Sequence, residues 1–172
     1  MPPLGPRFTR SPLRFADALA EFLLALPEPS GAAFYAVEVR DPKLLTSDYL
    51  AALCAGRASH CVAIHARMPS SMEQARYWRE SGSSPLVIRW SLHSGLKYEE
   101  AKERYAHFNA LVDEAPPGRA QVSALVREAV QNNQDAYVVV NNKAEGSAPL
   151  SIRKLANLIA DYGETILSQG WP

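Results

Sequence analysis

The chain has 172 residues, and its 18 lysines and arginines balance 18 aspartates and glutamates. A zero formal charge disfavours nucleic acid as a partner, because holding a phosphate backbone normally takes a basic excess. The length suits one domain, residues 1–172, and the two cysteines, with no apolar run of ~18 residues and no apolar leader, point to a reduced, cytoplasmic protein without a membrane span.

In chain order, the first expected element is a helix. Ser11 suits its cap and Pro12 its first turn, while Phe15, Leu19, Phe22, Leu23 and Leu26 form one apolar stripe that Pro27 ends. A strand over 34–39 follows, then a short helix capped by Ser47 and closed by Gly56. The second strand is expected over 61–66. Ser71 with Gln74 three positions on resembles a capping box and opens the next helix, which Gly82 closes. A third strand over 86–92 leads to a long helix over 98–112, a loop "DEAPPGR" and a helix over 120–131. A fourth strand over 137–140 leads through Gly146 into a helix over 150–162. Strands separated by helices mean right-handed crossovers and a parallel sheet, so the fold class is α/β.

The strands do not read as the continuous apolar runs of a sheet buried on both faces. Val37 and Val39 alternate with Glu38 and Arg40; Val62 and Ile64 alternate with Cys61, Ala63, His65 and Arg67; Ile88 and Trp90 alternate with Arg89 and His93. Each strand thus has one apolar face and one face that becomes charged toward its carboxyl end. The fourth strand ends in Asn141 and Asn142, ahead of the dense polar stretch "NNKAEGSAP". Ligand sites on parallel α/β folds gather at the carboxyl ends of strands.

Arginines at 40, 67 and 89 on one face suit an anionic small molecule, because a guanidinium offers a forked set of donors. Gly146 and Ser147 precede a helix whose first amides favour an anion. Glu38 is the candidate general acid or base, and His65 or His93 a proton shuttle. Structural alternatives stand beside these: an ion pair for Glu38 and Arg40, interior histidines, and turn duty for Asn141 and Asn142. A divalent metal on Glu38, His65 and His93 is disfavoured, since the arginines would repel it. No cofactor is assigned.

The segments "FYAVEVRDP", "HCVAIHARMPSSMEQARYW", "LVIRWSLHSGLKYEEAKERYAHFNALVDE" and "VVVNNKAEGSAPLSIRKLA" resemble the YecE-like family, a domain of unknown function with a (βα)8 TIM-barrel fold. The matching pieces run from about Arg14 to Tyr162, and "NNKAEGSAP" is the most specific. The resemblance implies a partial TIM barrel: about four βα units and a preceding helix, the carboxyl-terminal half of the family's longer chain. It also implies that Glu38, Arg40, Arg67, Arg89, Asn141, Asn142 and Glu145 stand at the barrel mouth. It brings no settled activity. A truncated, non-catalytic half-barrel that binds a ligand or partner is the alternative function. An open sheet leaves two unpaired edges, so a homo-oligomer formed through those edges is expected.

Overall fold

Alternating sequences become strands where one face can be buried under helices, and four of them do so in the computed structural model. It describes residues 10–82, 85–92 and 96–168, with side chains as far as residue 161. The elements are α1 (Pro12–Ala25), β1 (Tyr35–Val37), α2 (Ser47–Ala55), β2 (Ala58–Ile64), α3 (Ser71–Glu80), β3 (Leu86–Trp90), α4 (Tyr98–Arg104), α5 (Pro116–Gln131), β4 (Ala136–Val140) and α6 (Ala148–Ser168). Among the described residues the strands form one open sheet in the order β1-β2-β3-β4, every neighbouring pair parallel. The expected α/β class is therefore present, as a partial barrel whose sheet does not close.

The apolar strand faces carry the core. Val62, Leu86, Ile88 and Trp90 pack with Trp78 of α3, Val122 and Leu125 of α5, and Leu155 of α6. A second cluster joins Phe15 and Leu23 of α1 to Tyr49 and Leu53 of α2 and to Ala58. Each large side chain so buried contributes about 1.5–3 kcal/mol. Gly56, at the end of α2, lets α1 approach closely, since a Cβ there would overlap the Leu23 side chain.

The opposite face is curved into a trough. The rings of Phe34, entering β1, and Tyr137, on β4, meet with centroids 5.3 Å apart although two strands lie between them. Small residues on β2 make this crossing possible. Ser59, Cys61 and Ala63 sit beneath the larger side chains of the neighbouring strands, and all three are buried.

Several boundaries differ from expectation, each for a local reason. Ser70 rather than Ser71 caps α3, closing a capping box with Glu73. Ser70/Glu73 and Ser71/Gln74 both fit the motif, but Gln74 is drawn inside. Its amide accepts from Ala63 N–H at 2.9 Å and donates to the carbonyls of Ala63 and Pro69. It thus serves β2 where the β1 ladder, which ends at Val37 and His60, no longer reaches. Thr46, not Ser47, caps α2 by accepting from Tyr49 N–H. The long helix expected over 98–112 stops at Arg104, and the chain turns back through left-handed His107 and Phe108. That reversal lets Tyr105 donate to Asp113 and lets Val112 N–H reach the Glu145 carbonyl. α5 starts at Pro116, because two prolines that read as loop are its first turn.

Candidate functional site

Glu38 follows β1 directly and leans over β2 toward β3. Its Oε1 accepts from Arg40 Nε at 2.6 Å and its Oε2 from Arg89 Nη1 at 2.9 Å. The bridge crosses small Cys61 and Ala63, which is why β1 and β3 can join over the intervening strand. Both arginine side chains are 47% exposed, while that of Glu38 is 17% exposed. The guanidiniums thus keep donors directed at solvent while the carboxylate is largely enclosed.

His65 stands at the end of β2, where the strand turns: Met68 N–H bonds to the His65 carbonyl and Arg67 N–H to the ring Nδ1. Arg67 therefore belongs to the turn rather than to the strand face. Burial, then Arg67 and Arg40, hold the His65 pKa below its usual value, against the pull of Glu38. A neutral ring that accepts at Nδ1 carries its proton at Nε2. Burial, then Glu38, pushes the neighbouring Cys61 thiol up to about 12, opposed by Arg89 and Arg40. Cys61 is thus a thiol at neutral pH and a poor nucleophile. Glu38, Arg40, Arg89, His65 and Arg67 form one cluster at the carboxyl ends of β1, β2 and β3. His93, the third member of the alternative metal trio with Glu38 and His65, lies outside the described residues.

The residues after β4 form a separate cluster. Asn141 Oδ1 accepts from Lys143 N–H, and Asn142 Oδ1 accepts from Ala148 N–H at the start of α6. The Lys143 ammonium lies 4.2 Å from the Tyr98 ring centroid. Glu145 is fully buried; its Oε1 accepts from Arg119 Nη2 at 2.6 Å and from Ala115 N–H at 2.8 Å. Arg119 also meets Glu114, which Lys154 holds at the surface. Gly146 has a φ of 113°, and a Cβ there would lie 2.5 Å from the Ala110 carbonyl oxygen. Only glycine fits a backbone so turned and so closely approached. Ser147 is buried, and its carbonyl accepts the Ser151 N–H in the first turn of α6.

Sequence reasoning passed over two polar groups of the interior. His60 is fully buried on the helix side of β2, with Tyr49 Oη 2.9 Å from its Nδ1, and burial lowers its pKa to about 4. Its parity with Val62 and Ile64 was the available signal. Arg119 lies in the first turn of a helix whose start was placed too late.

A cleft of about 460 Å³ opens beside His65, between the loop after β2 and the start of α5. Among the described residues no group of His, Cys, Asp or Glu is placed to hold a metal ion, and no helix is long and apolar enough to cross a membrane.

Residues 3–172 match the profile of a family described as "Protein of unknown function DUF72". No curated protein matches the chain. A solved structure of a DUF72 family protein from Enterococcus faecalis V583 superimposes with a TM-score of 0.53 at 15% sequence identity, over 86% of this chain and 52% of that one. The chain thus spans about half the length of the structure it matches. The chain belongs to the DUF72 family, the same family as the YecE-like proteins its sequence resembles.

Proposed function

We propose that the protein holds an anionic small molecule at the carboxyl ends of its strands. The observation that carries this reading is the pair of half-exposed guanidiniums, Arg40 and Arg89, fixed by one enclosed carboxylate. Each retains donors after bonding Glu38, and Arg67 adds a third positive charge in the turn beside them. His65 enters as a neutral donor through Nε2, and Glu38 as the group that exchanges a proton with a bound substrate. Asn141, Asn142, Glu145 and Ser147 fix the loop between β4 and α6. Two free thiols, Cys54 and Cys61, agree with a reducing compartment, and we place the chain in the cytoplasm.

Titration with inorganic phosphate tests the site. A charge-assisted hydrogen bond contributes about 1.5–3 kcal/mol, so Arg89→Ala is expected to weaken binding about ten- to hundredfold. Lys97→Ala, at the exposed start of α4, is expected to leave the isotherm unchanged. Equal effects of the two variants would remove the basis for the site.

A second reading, a half-barrel that binds without turnover, has its own support. Tyr137 and Val139 point into the trough and are 45% and 58% exposed. Among the described residues nothing pairs with the outer edges of β1 and β4. Such edges invite another strand, and a two-fold axis along the trough would set β1 beside β4 of a second copy with all strands parallel. We propose that a second copy covers the trough. Light scattering is expected to give the mass of a dimer; a cooperative monomer at micromolar concentration would exclude the pairing.

A further inference from the structure

The cleft beside His65 has a chemistry unlike that of the arginine cluster. Its walls are Met68 and Pro69 from the loop after β2, Trp90 from the end of β3, and Pro117, Gly118 and Gln121 from the start of α5. No lysine or arginine lines it, and its one carboxylate, Glu114, is already held by Lys154 and Arg119. An anion therefore gains nothing inside it, whereas an uncharged body finds the apolar surfaces of Met68, Pro69 and Pro117, with the buried edge of Trp90 closing the floor. Polar groups stand at one side: Gln121 Oε1 accepts from Ser71 Oγ at 2.8 Å, which leaves the Gln121 amide N–H groups to donate. A volume of about 460 Å³ lies in the range that accepts a whole organic ligand. His65 is common to both places, lining the cleft while Arg40, Arg67 and Glu38 act on its ring.

We propose that the cleft receives the uncharged ring of a ligand whose anionic group rests on Arg40, Arg67 and Arg89, so that the ligand class is an anion joined to a nucleoside-sized body with a hydrogen-bonding edge. This rests on the anion site proposed above. His65 stands at the junction, lining the cleft and lying beside Arg67 and Arg40. The arrangement follows the general placement of ligands in crevices outside the carboxyl ends of parallel strands.

Gly118 supplies a test, with persistence of phosphate binding and of the wild-type urea midpoint as the check that the variant folds. A Cβ there would meet only the Ala115 Cβ and the Trp90 ring, at the ordinary contact distances of 3.8 and 3.9 Å. The position is helical, so Gly118→Leu removes a poor helix former while extending a side chain toward the cleft. The full chain is titrated with inorganic phosphate, adenosine and adenosine 5′-monophosphate. The expected result is that the monophosphate binds at least tenfold more tightly than phosphate, and that Gly118→Leu abolishes this gain while phosphate binding persists. A monophosphate no tighter than phosphate, or a gain that survives Gly118→Leu, would overturn the cleft and leave the anion site standing. Adenosine binding that Gly118→Leu blocks, without any phosphate binding, would uphold the cleft as a ring site and overturn the anion site. Absence of binding by all three probes would overturn both.

Discussion

The two arginine–carboxylate clusters are built from the same groups and put to opposite ends. At the mouth, Glu38 lies between Arg40 and Arg89, whose guanidiniums are half in water. Behind the β4 loop, Glu145 and Arg119 are almost wholly withdrawn, with side chains 0% and 9% exposed. Solvent screens the first cluster, so its ion pairs add little to stability and its donors stay available. The second is desolvated, and its members need one another. It is also incompletely satisfied: Glu145 Oε2 and Arg119 Nε have no hydrogen-bond partner among the described residues. Burial therefore separates a cluster able to exchange partners from one committed to the fold.

The largest expected effect breaks the buried cluster. Glu145→Ala leaves Arg119 charged and enclosed with only the longer 3.2 Å contact to the more exposed Glu114, and removes the acceptor of Ala115 N–H, the amide at the cap of α5. Removing one partner of a buried pair costs about 3–5 kcal/mol, and urea melts of this variant should record a loss of that size. A loss below ~1 kcal/mol would mean that water reaches the pair and that the contrast with the mouth is false. A smaller but still large effect belongs to His60. Its folded pKa of about 4 lies below the unfolded value of 6.5, so the unfolded chain takes up the proton first as pH falls. Stability from the neutral ring is fully present above pH 6.5 and is lost progressively as pH falls toward 4. The loss totals about 3 kcal/mol. His65, also lowered, acts in the same direction. Melts at pH 7.5 and 5 should differ for the wild type and differ less for His60→Gln; an unchanged slope would place the titration elsewhere.

Much of this fold is legible in the sequence because strand parity is a local property. Glu38, Arg40 and Arg89 alternate with apolar neighbours, and their convergence follows once the strands are parallel. The segment "NNKAEGSAP" attracts notice for its polar density, but density does not reveal direction. The carbonyl oxygens of Asn141 and Asn142 serve backbone amides, and Glu145 answers an arginine that lies 26 residues earlier. No local pattern links positions so far apart. The same limit explains α4: its sequence continues to favour helix beyond Arg104, and the reversal at His107 and Phe108 is imposed by contacts with Asp113 and Glu145. The paired serines before α3 show a third limit, since two capping boxes fit the same letters and the burial of Gln74 selects between them.

The smallest stability effect is the one that sharpens the comparison most. Arg89→Ala, the variant that tests anion binding, removes one arm of the Glu38 bridge and leaves Arg40 bonded to the other oxygen. Arg89 is half-exposed, so the ion pair contributes no more than about 1 kcal/mol to folding. Its urea midpoint should lie close to that of the wild type even where its phosphate isotherm is weakened tenfold. The dissociation between the two measurements is the signature of a group held for a ligand rather than for the fold. If Arg89→Ala instead unfolds as readily as Glu145→Ala, the bridge over β2 is a structural tie between β1 and β3. The trough would then be held open by the very residues proposed to fill it with an anion, and the two clusters would differ in exposure alone.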